Sequence, residues 1–134
     1  MKRTCTVMRW FMILFYLSAG FVHLRSPEAF LPIIPYWVPF PRETVLLTGV
    51  AELAGAAGLM VPRLRYAAGV GLALYALCVF PANIKHAVDG VVVGGMRLGW
   101  GYHLPRLLFQ PVLIWWALVA GEVTHWPFAR RRSD

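Results

Sequence analysis

The chain has 134 residues, a length that suits a single domain. Apolar residues make up 59% of it and charged residues only 14%, whereas soluble domains carry roughly 25% charged residues. The net charge of +7 does not indicate nucleic-acid binding, because the basic residues gather at chain ends and short loops and form no stripe interleaved with aromatics. The composition instead predicts an all-α integral membrane protein, with the lipid bilayer as its surroundings.

Four apolar segments are long enough to cross a bilayer core of about 30 Å. They lie at 7–24, 44–61, 66–84 and 104–123, and they predict a four-helix bundle. The first resembles a signal peptide in outline, but its apolar character continues to Leu24, which favours a retained span over a cleaved one. Small residues in the second, Gly49, Gly55 and Gly58 among them, predict close packing against neighbouring helices.

The basic residues predict the orientation of the bundle. Lysine and arginine are more frequent in the N-terminal segment, the turn at 62–65 and the C-terminal tail than in the other two loops. Because cytoplasmic loops carry the excess of basic residues, both termini are expected in the cytoplasm, as in a multi-pass membrane protein.

The connections are marked by proline and glycine. Prolines and aromatics fill 25–42, which predicts a cap over the outer end of the bundle with one short helical turn at 28–31. Pro81 predicts a kink or helix stop near the end of the third span, and Pro105 suits the first turn of the fourth. The glycine-rich stretch 86–102 predicts a flexible loop with an interfacial segment at 91–93.

Glu52 is the one charged residue between Thr44 and Pro62. A charge at mid-bilayer costs about 2.5–3.5 kcal/mol on insertion scales, so an acid placed there is a functional-site hypothesis by default. The alternative is a structural carboxylate, paired or protonated inside the bundle.

Other polar residues are expected near Glu52. Helical spacing places Asn83 and His86 on one face, and Arg106 and Gln110 on another. With the orientation above, the outer half of the bundle holds His23, Glu52, Asn83, His86, Arg106 and Gln110. This convergence predicts one polar pocket, roofed by 25–42 and open to the outside. Arg106 either extends to the headgroups or turns inward to pair with Glu52.

Cysteine and histidine give no sign of a metal site. Cys5 and Cys78 are too far apart for a CxxC motif, and Cys78 is expected to be a buried apolar residue. The four histidines lie on separate segments, so their spacing does not indicate a metal centre.

Several pieces, in order, resemble the DoxX family of small four-helix bacterial membrane proteins. They are AGFVH at 19–23, the proline and aromatic run at 27–39, GVAEL at 49–53 continuing to GLMVP at 58–62, FPANI at 80–84, and Arg106 with Gln110. Here a proline precedes Arg106, and Leu108 stands where the family often has a proline.

The resemblance implies a subunit or accessory of a membrane redox system, such as thiosulfate–quinone oxidoreduction or a thiol-oxidative-stress complex. Its pocket would bind a quinone or a small sulfur or thiol compound. His23 and Arg106 would polarise an oxygen or bind an anion, and Glu52 would accept or relay a proton. The ligand-binding candidates are Asn83, His86, Gln110 and Trp37.

Other functions stay open from the sequence. One is a non-enzymatic scaffold that holds another membrane protein through its small-residue faces. Another is a small transporter acting as a homo-oligomer. Of these hypotheses, only the redox subunit requires a membrane or periplasmic redox partner.

Overall fold

The computed structural model describes residues 2–92 and 95–128 and confirms an all-α fold. The described residues form four long helices, and one short 3-10 helix, η1, lies between the first and the second. Their bounds are α1 Lys2–Arg25, η1 Pro27–Ile33, α2 Pro41–Met60, α3 Arg65–Val88 and α4 Trp100–Ala120. Each of the four long helices is long and apolar enough to cross a membrane.

All four long helices contribute to one core. Helix α1 packs against α2 and α4, and α3 packs against the same two helices. The core is built from Met12, Ile13, Tyr16, Ala56, Leu59, Leu72, Ala73, Ala76, Leu113, Ala117 and Ala120. Alanine supplies many of these positions, so the helix axes can approach closely.

The closest approach of α1 and α2 depends on glycine. A Cβ added to Gly20 would lie 2.8 Å from the carbonyl oxygen of Gly49, a distance that real Cβ atoms essentially never show. His23 lies one helical turn after Gly20, and Glu52 one turn after Gly49. A Cβ added to Gly49 would in turn lie 3.0 Å from the Cβ of His23, so the lack of side chains at both glycines lets α1 and α2 approach closely enough for His23 to reach Glu52.

Two predicted helix boundaries were wrong. Helix α3 continues through Pro81 to Val88, four residues beyond the predicted end at Ile84, so His86 is a helical residue and not part of the predicted loop 86–102. Contacts from Asn83 and His86 to α4 hold these last turns, which offsets the hydrogen bond that Pro81 cannot make. Helix α4 begins at Trp100, which places Pro105 inside the helix.

The segment between α1 and α2 covers one end of the bundle, as predicted. The expected turn at 28–31 is the centre of the longer η1. Lys85 on α3 fixes this segment, because its Nζ donates to the carbonyl oxygens of Pro32 and Ile34 at 2.7 and 3.1 Å. We call this end of the molecule the η1 end. The interfacial segment predicted at 91–93 lies partly outside the described residues.

An exposed ion pair lies beside η1. The guanidinium of Arg42 donates to Glu28 over 3.0 Å. Two hydrogen bonds to the Glu28 carboxylate lower its pKa. The larger effect comes from the backbone N–H of Glu28 itself, and the smaller one from the Arg42 side chain.

Candidate functional site

A buried carboxylate on α2 is paired with an imidazole on α1. Glu52 is 3% exposed, and its Oε2 lies 2.6 Å from Nδ1 of His23. Its other oxygen accepts a hydrogen bond of 2.7 Å from the Tyr75 hydroxyl on α3. Partners from two neighbouring helices thus satisfy a carboxylate that apolar surroundings could not solvate.

This arrangement leaves one nitrogen of His23 free for other chemistry. A carboxylate accepts hydrogen bonds, so Nδ1 of a neutral His23 carries the proton and Nε2 carries a lone pair. The His23 side chain is 18% exposed, and the ring of Phe30 lies 4.3 Å from it, centroid to centroid. A carboxylate that orients an imidazole in this way prepares the distal nitrogen as a hydrogen-bond acceptor or base.

Tyr16 adds a second phenol to this network. It is 1% exposed, its ring meets that of Tyr75 edge to face at 6.0 Å, and its hydroxyl has no hydrogen-bond partner among the described residues. The sequence places Tyr16 on the face of α1 that carries His23, but the pattern alone assigns it no role.

Arg106 on α4 organises a second network. Its guanidinium donates to Nδ1 of His86 over 2.8 Å and to Oδ1 of Asn83 over 2.6 Å. The Asn83 amide donates to Gln110 over 3.0 Å, and the Gln110 amide donates to the carbonyl oxygen of Ala76 over 2.6 Å. The acceptors that Arg106 meets are neutral, and no carboxylate of the described residues forms an ion pair with it. The charge of Arg106 is therefore free to attract an anion.

His103 belongs to this second network, and sequence reasoning missed it. It is 2% exposed, and its ring centroid lies 4.6 Å from that of His86. The signal is the spacing of His103 and Arg106, three residues apart on one helical face. That signal requires α4 to begin at Trp100, whereas the sequence predicted a start at Leu104.

The residues predicted to form a single pocket are divided between two neighbouring hydrogen-bond networks. We call them the His23–Glu52 network and the Arg106 network. No hydrogen bond among the described residues joins them. Adjacent residues of α3 belong to the two networks. The Tyr75 hydroxyl donates to Glu52, and the backbone carbonyl of the next residue, Ala76, accepts from the Gln110 side chain. The predicted alternative of a Glu52–Arg106 pair was wrong, because each group is satisfied by other partners.

Two further residues lie outside both networks. Trp37 is 63% exposed and makes no hydrogen bond or ring contact with the described part of the chain, so it is not brought to either network. Cys78 was expected to be buried but is exposed on α3, and both cysteines are free thiols. The described residues contain no group of three or more metal-ligating side chains placed to hold a metal ion.

The opposite end of the bundle has its own polar cluster. Arg9 is 6% exposed and donates to the carbonyl oxygen of Ala120 over 2.7 Å and to the carboxylate of Glu122. Arg65 reaches the same carboxylate over 3.4 Å. The sequence analysis counted the basic residues of the N-terminal segment, Arg9 among them, toward the cytoplasmic side and did not predict this pairing, since the two partners lie 113 residues apart.

An apolar groove runs along α1 toward the η1 end. Its volume is about 620 Å³. It is lined by Phe11, Leu14, Phe15, Ser18, Ala19, Val22, Phe30 and Trp116. Phe30 both lines this groove and touches the ring of His23, so the groove leads to the His23–Glu52 network.

Comparisons with known proteins place the chain in a family whose function is not known. No curated protein matches it, and no solved structure matches it. One family model matches residues 12–121, which include α1 from Met12 onward, all of α2, α3 and α4, and both polar networks. The chain therefore belongs to the family described as a domain of unknown function, DUF8561.

Proposed function

We propose that this protein is a DoxX-like, multi-pass protein of the bacterial inner membrane with both termini in the cytoplasm. Four long apolar helices support four spans. Large apolar side chains such as Phe11 and Leu47 are 62% and 68% exposed around the bundle, where lipid would solvate them. The basic residues near both termini support the orientation, in which the η1 end faces outward.

We further propose that the outer end binds a quinone or a small sulfur or thiol compound, as a subunit or accessory of a membrane redox system. The observation that carries this proposal is the His23–Glu52 pair. A buried carboxylate holds an imidazole whose distal nitrogen is free, within helices that otherwise offer apolar surroundings. Glu52 accepts from Nδ1 and so fixes the ring with the lone pair of Nε2 directed away from the carboxylate.

The groove along α1 favours a quinone as the ligand of this pair. An isoprenoid tail is apolar and flexible, and the lining of the groove of about 620 Å³ includes Phe30, whose ring contacts that of His23. The quinone ring would then lie against Phe30. Nε2 of His23 would accept a hydrogen bond from one quinol hydroxyl. When a membrane or periplasmic redox partner takes the two electrons, Nε2 would accept the proton of that hydroxyl, and water would accept the proton of the other.

The Arg106 network supports the second ligand class. Thiosulfate and thiolates are anions, and Arg106 is a cation without a carboxylate partner among the described residues. In this proposal the two networks have different roles. Arg106 attracts an anionic sulfur compound, and the His23–Glu52 pair accepts and releases protons.

Binding to the purified protein tests this function. We would titrate protein in detergent micelles with a short-chain quinol, the matching quinone and thiosulfate, and repeat the series with Glu52→Gln. Glu43→Gln is the matched control, since Glu43 is exposed in the first turn of the same helix. We expect saturable binding in wild type and Glu43→Gln, and about tenfold weaker quinol binding in Glu52→Gln. Binding of none of the three compounds would refute the proposal, as would equal quinol affinity in all three proteins.

A scaffold function has one observation in its favour. A groove of about 390 Å³ between α2 and α3 is lined largely by small residues. They are Ala51, Ala54, Gly55, Gly58, Ala67, Ala68 and Gly71. Small residues let a partner helix approach a membrane helix closely.

A bulky residue placed in this groove tests the scaffold function. Gly71 has open space around its Cβ position, so Gly71→Leu should fold normally and block a partner helix. Val88→Leu, at an exposed position of the same helix outside the groove, is the control. Loss of co-purifying membrane proteins in Gly71→Leu alone would favour the scaffold function. The same co-purifying proteins in both variants would count against it.

A further inference from the structure

The end of the bundle opposite η1 brings together three segments of the chain. They are the N-terminal part of α1, the turn at 61–65 between α2 and α3, and residues 121–128 after α4. Arg9 on α1 and Arg65 on α3 join them, because both guanidiniums donate to the carboxylate of Glu122. We call this end of the molecule the basic end.

The two ends of the bundle differ in charge. The described side chains of the basic end include four arginines and one acid, a net charge of +3, namely Arg3, Arg9, Arg63, Arg65 and Glu122. At the η1 end, in 25–52 and 85–106, five basic side chains accompany four acidic ones, a net charge of +1. The excess of positive charge in the described part of the chain therefore lies mainly at the basic end.

Three of these arginines have charge left to attract an anion. Arg3 and Arg63 are exposed and make no hydrogen bond or ion pair with the described part of the chain. Arg65 shares the Glu122 carboxylate with Arg9 and reaches it over 3.4 Å. Charge-assisted hydrogen bonds are usually about 2.7–2.9 Å long. Because this contact is long and one carboxylate serves two guanidiniums, the charge of Arg65 is balanced only in part.

Exposed aromatic side chains accompany these arginines. Trp10 and Tyr66 each directly follow an arginine of the basic end in the chain, and both are exposed. Trp126 is 72% exposed, and the indole of Trp115 fixes its backbone by donating to its carbonyl oxygen over 3.0 Å. Tryptophan and tyrosine are enriched where a bilayer meets water, because their rings combine an apolar body with a polar group. Charge and aromatics together indicate the headgroup layer of a bilayer as the partner.

We propose that the basic end binds anionic phospholipid headgroups, whose phosphates accept hydrogen bonds from Arg3, Arg63 and Arg65. The planar guanidinium presents its donors in a fork that matches a phosphate. Each basic side chain close to an anionic lipid surface strengthens the attraction about fivefold. In the orientation proposed above, the lipids belong to the cytoplasmic leaflet. The inference goes beyond the redox function and depends only on the four helices spanning a bilayer.

A headgroup layer fits this surface better than a soluble phosphate does. The exposed arginines lie on different segments of the chain, Arg3 on α1 and Arg63 in the turn after α2. A layer of headgroups offers a phosphate to each of them, and its apolar side receives the aromatic rings. A single soluble phosphate on an exposed surface gains little, because water screens the attraction.

Competition between two phospholipids tests the inference. The purified protein is freed of lipid in detergent and incubated with equal amounts of phosphatidylglycerol and phosphatidylcholine that have identical acyl chains. Native mass spectrometry then counts the lipids that stay bound. Both lipids carry a phosphate, and only phosphatidylglycerol has a net charge. We expect wild type to retain phosphatidylglycerol about tenfold or more over phosphatidylcholine, and Arg63→Gln and Arg3→Gln each to lower this ratio about fivefold.

Arg42→Gln is the matched control and should keep the wild-type ratio. Arg42 is also an exposed arginine, but it lies at the η1 end and is paired with Glu28. A ratio that falls in Arg42→Gln as far as in Arg63→Gln would overturn the inference, because the lipid would then be bound at both ends.

Three further results would overturn it. One is equal retention of the two lipids in wild type, which would leave an acidic protein as the partner of the basic end. Another is a ratio that Arg3→Gln and Arg63→Gln both leave unchanged. The third is displacement of phosphatidylglycerol by inorganic phosphate at constant ionic strength, which would mean a site for soluble phosphate. Quinol binding should be the same in all these variants, since the His23–Glu52 network is intact, so failure of this inference and failure of the redox function are distinguishable.

Discussion

The hydrogen bond between His23 and Glu52 should contribute measurably to stability. The two atoms are 2.6 Å apart, Glu52 is 3% exposed and the His23 side chain is 18% exposed, so solvent screens the pair weakly. Hydrogen bonds to charged groups contribute about 1.5–3 kcal/mol, whereas side-chain hydrogen bonds between membrane helices average about 0.6 kcal/mol. We therefore expect a coupling free energy near the higher range.

A double-mutant cycle measures this coupling. The variants are Glu52→Gln, His23→Phe and the double variant, and the measured quantity is the free energy of unfolding in mixed micelles. Tyr75 still has an acceptor in Glu52→Gln, because the Gln side chain keeps one carbonyl oxygen. The difference between the double variant and the sum of the single variants then reports the His23–Glu52 interaction.

The result can refute the reasoning in a direct way. A coupling of about 1.5–3 kcal/mol is expected for an ionised carboxylate that accepts from His23. A coupling near zero would mean that the two side chains do not interact. In that case the oriented imidazole, and the binding site built on it, would be lost. The matched variant Glu43→Gln should show no coupling with His23→Phe.

Three more predictions concern the framework around the networks. Arg9→Met should lower the free energy of unfolding by about 1.5–3 kcal/mol, measured in the same micelles, because it removes the hydrogen bonds to Ala120 and Glu122 at the end of the bundle opposite η1. Gly20→Ala should destabilise by about 1–3 kcal/mol, since its Cβ meets backbone, whereas Gly71→Ala should be nearly neutral in the same assay. Lys85→Met should speed amide exchange in η1 about tenfold, measured by mass spectrometry, because two hydrogen bonds to this segment are lost. An unchanged free energy of unfolding in Arg9→Met or Gly20→Ala, or an unchanged rate of amide exchange in Lys85→Met, would contradict the contacts described.

The helices could be predicted from hydropathy, but two of their ends could not. Runs of apolar residues locate α1 to α4 because a helix that is apolar all round leaves a strong signal. The end of α3 was predicted too early because proline often stops a helix, as Pro81 was expected to do. The start of α4 was predicted too late because Pro105 was assigned to the first turn of the helix. Here contacts to α4 hold the turns after Pro81, and these contacts are long-range and invisible in a local pattern.

The site was predictable only within single helices. Helical spacing correctly placed Asn83 with His86, and Arg106 with Gln110, on shared faces. Partners across helices depend on crossing angles and axial shifts, which no local pattern specifies. For that reason the sequence left Arg106 either at the headgroups or paired with Glu52, whereas the structure pairs Glu52 with His23 and Tyr75.

The central claim is that Nε2 of His23 is a free acceptor that receives a ligand from the membrane. Nitrogen NMR of histidine-labelled protein in bilayers, with and without a short-chain quinol, tests it most directly. We predict that Nε2 of His23 lacks a proton in the free protein and that its resonance shifts on quinol addition, while that of His125 does not. A protonated Nε2 in the free protein, or a resonance that quinol leaves unchanged, would contradict the claim.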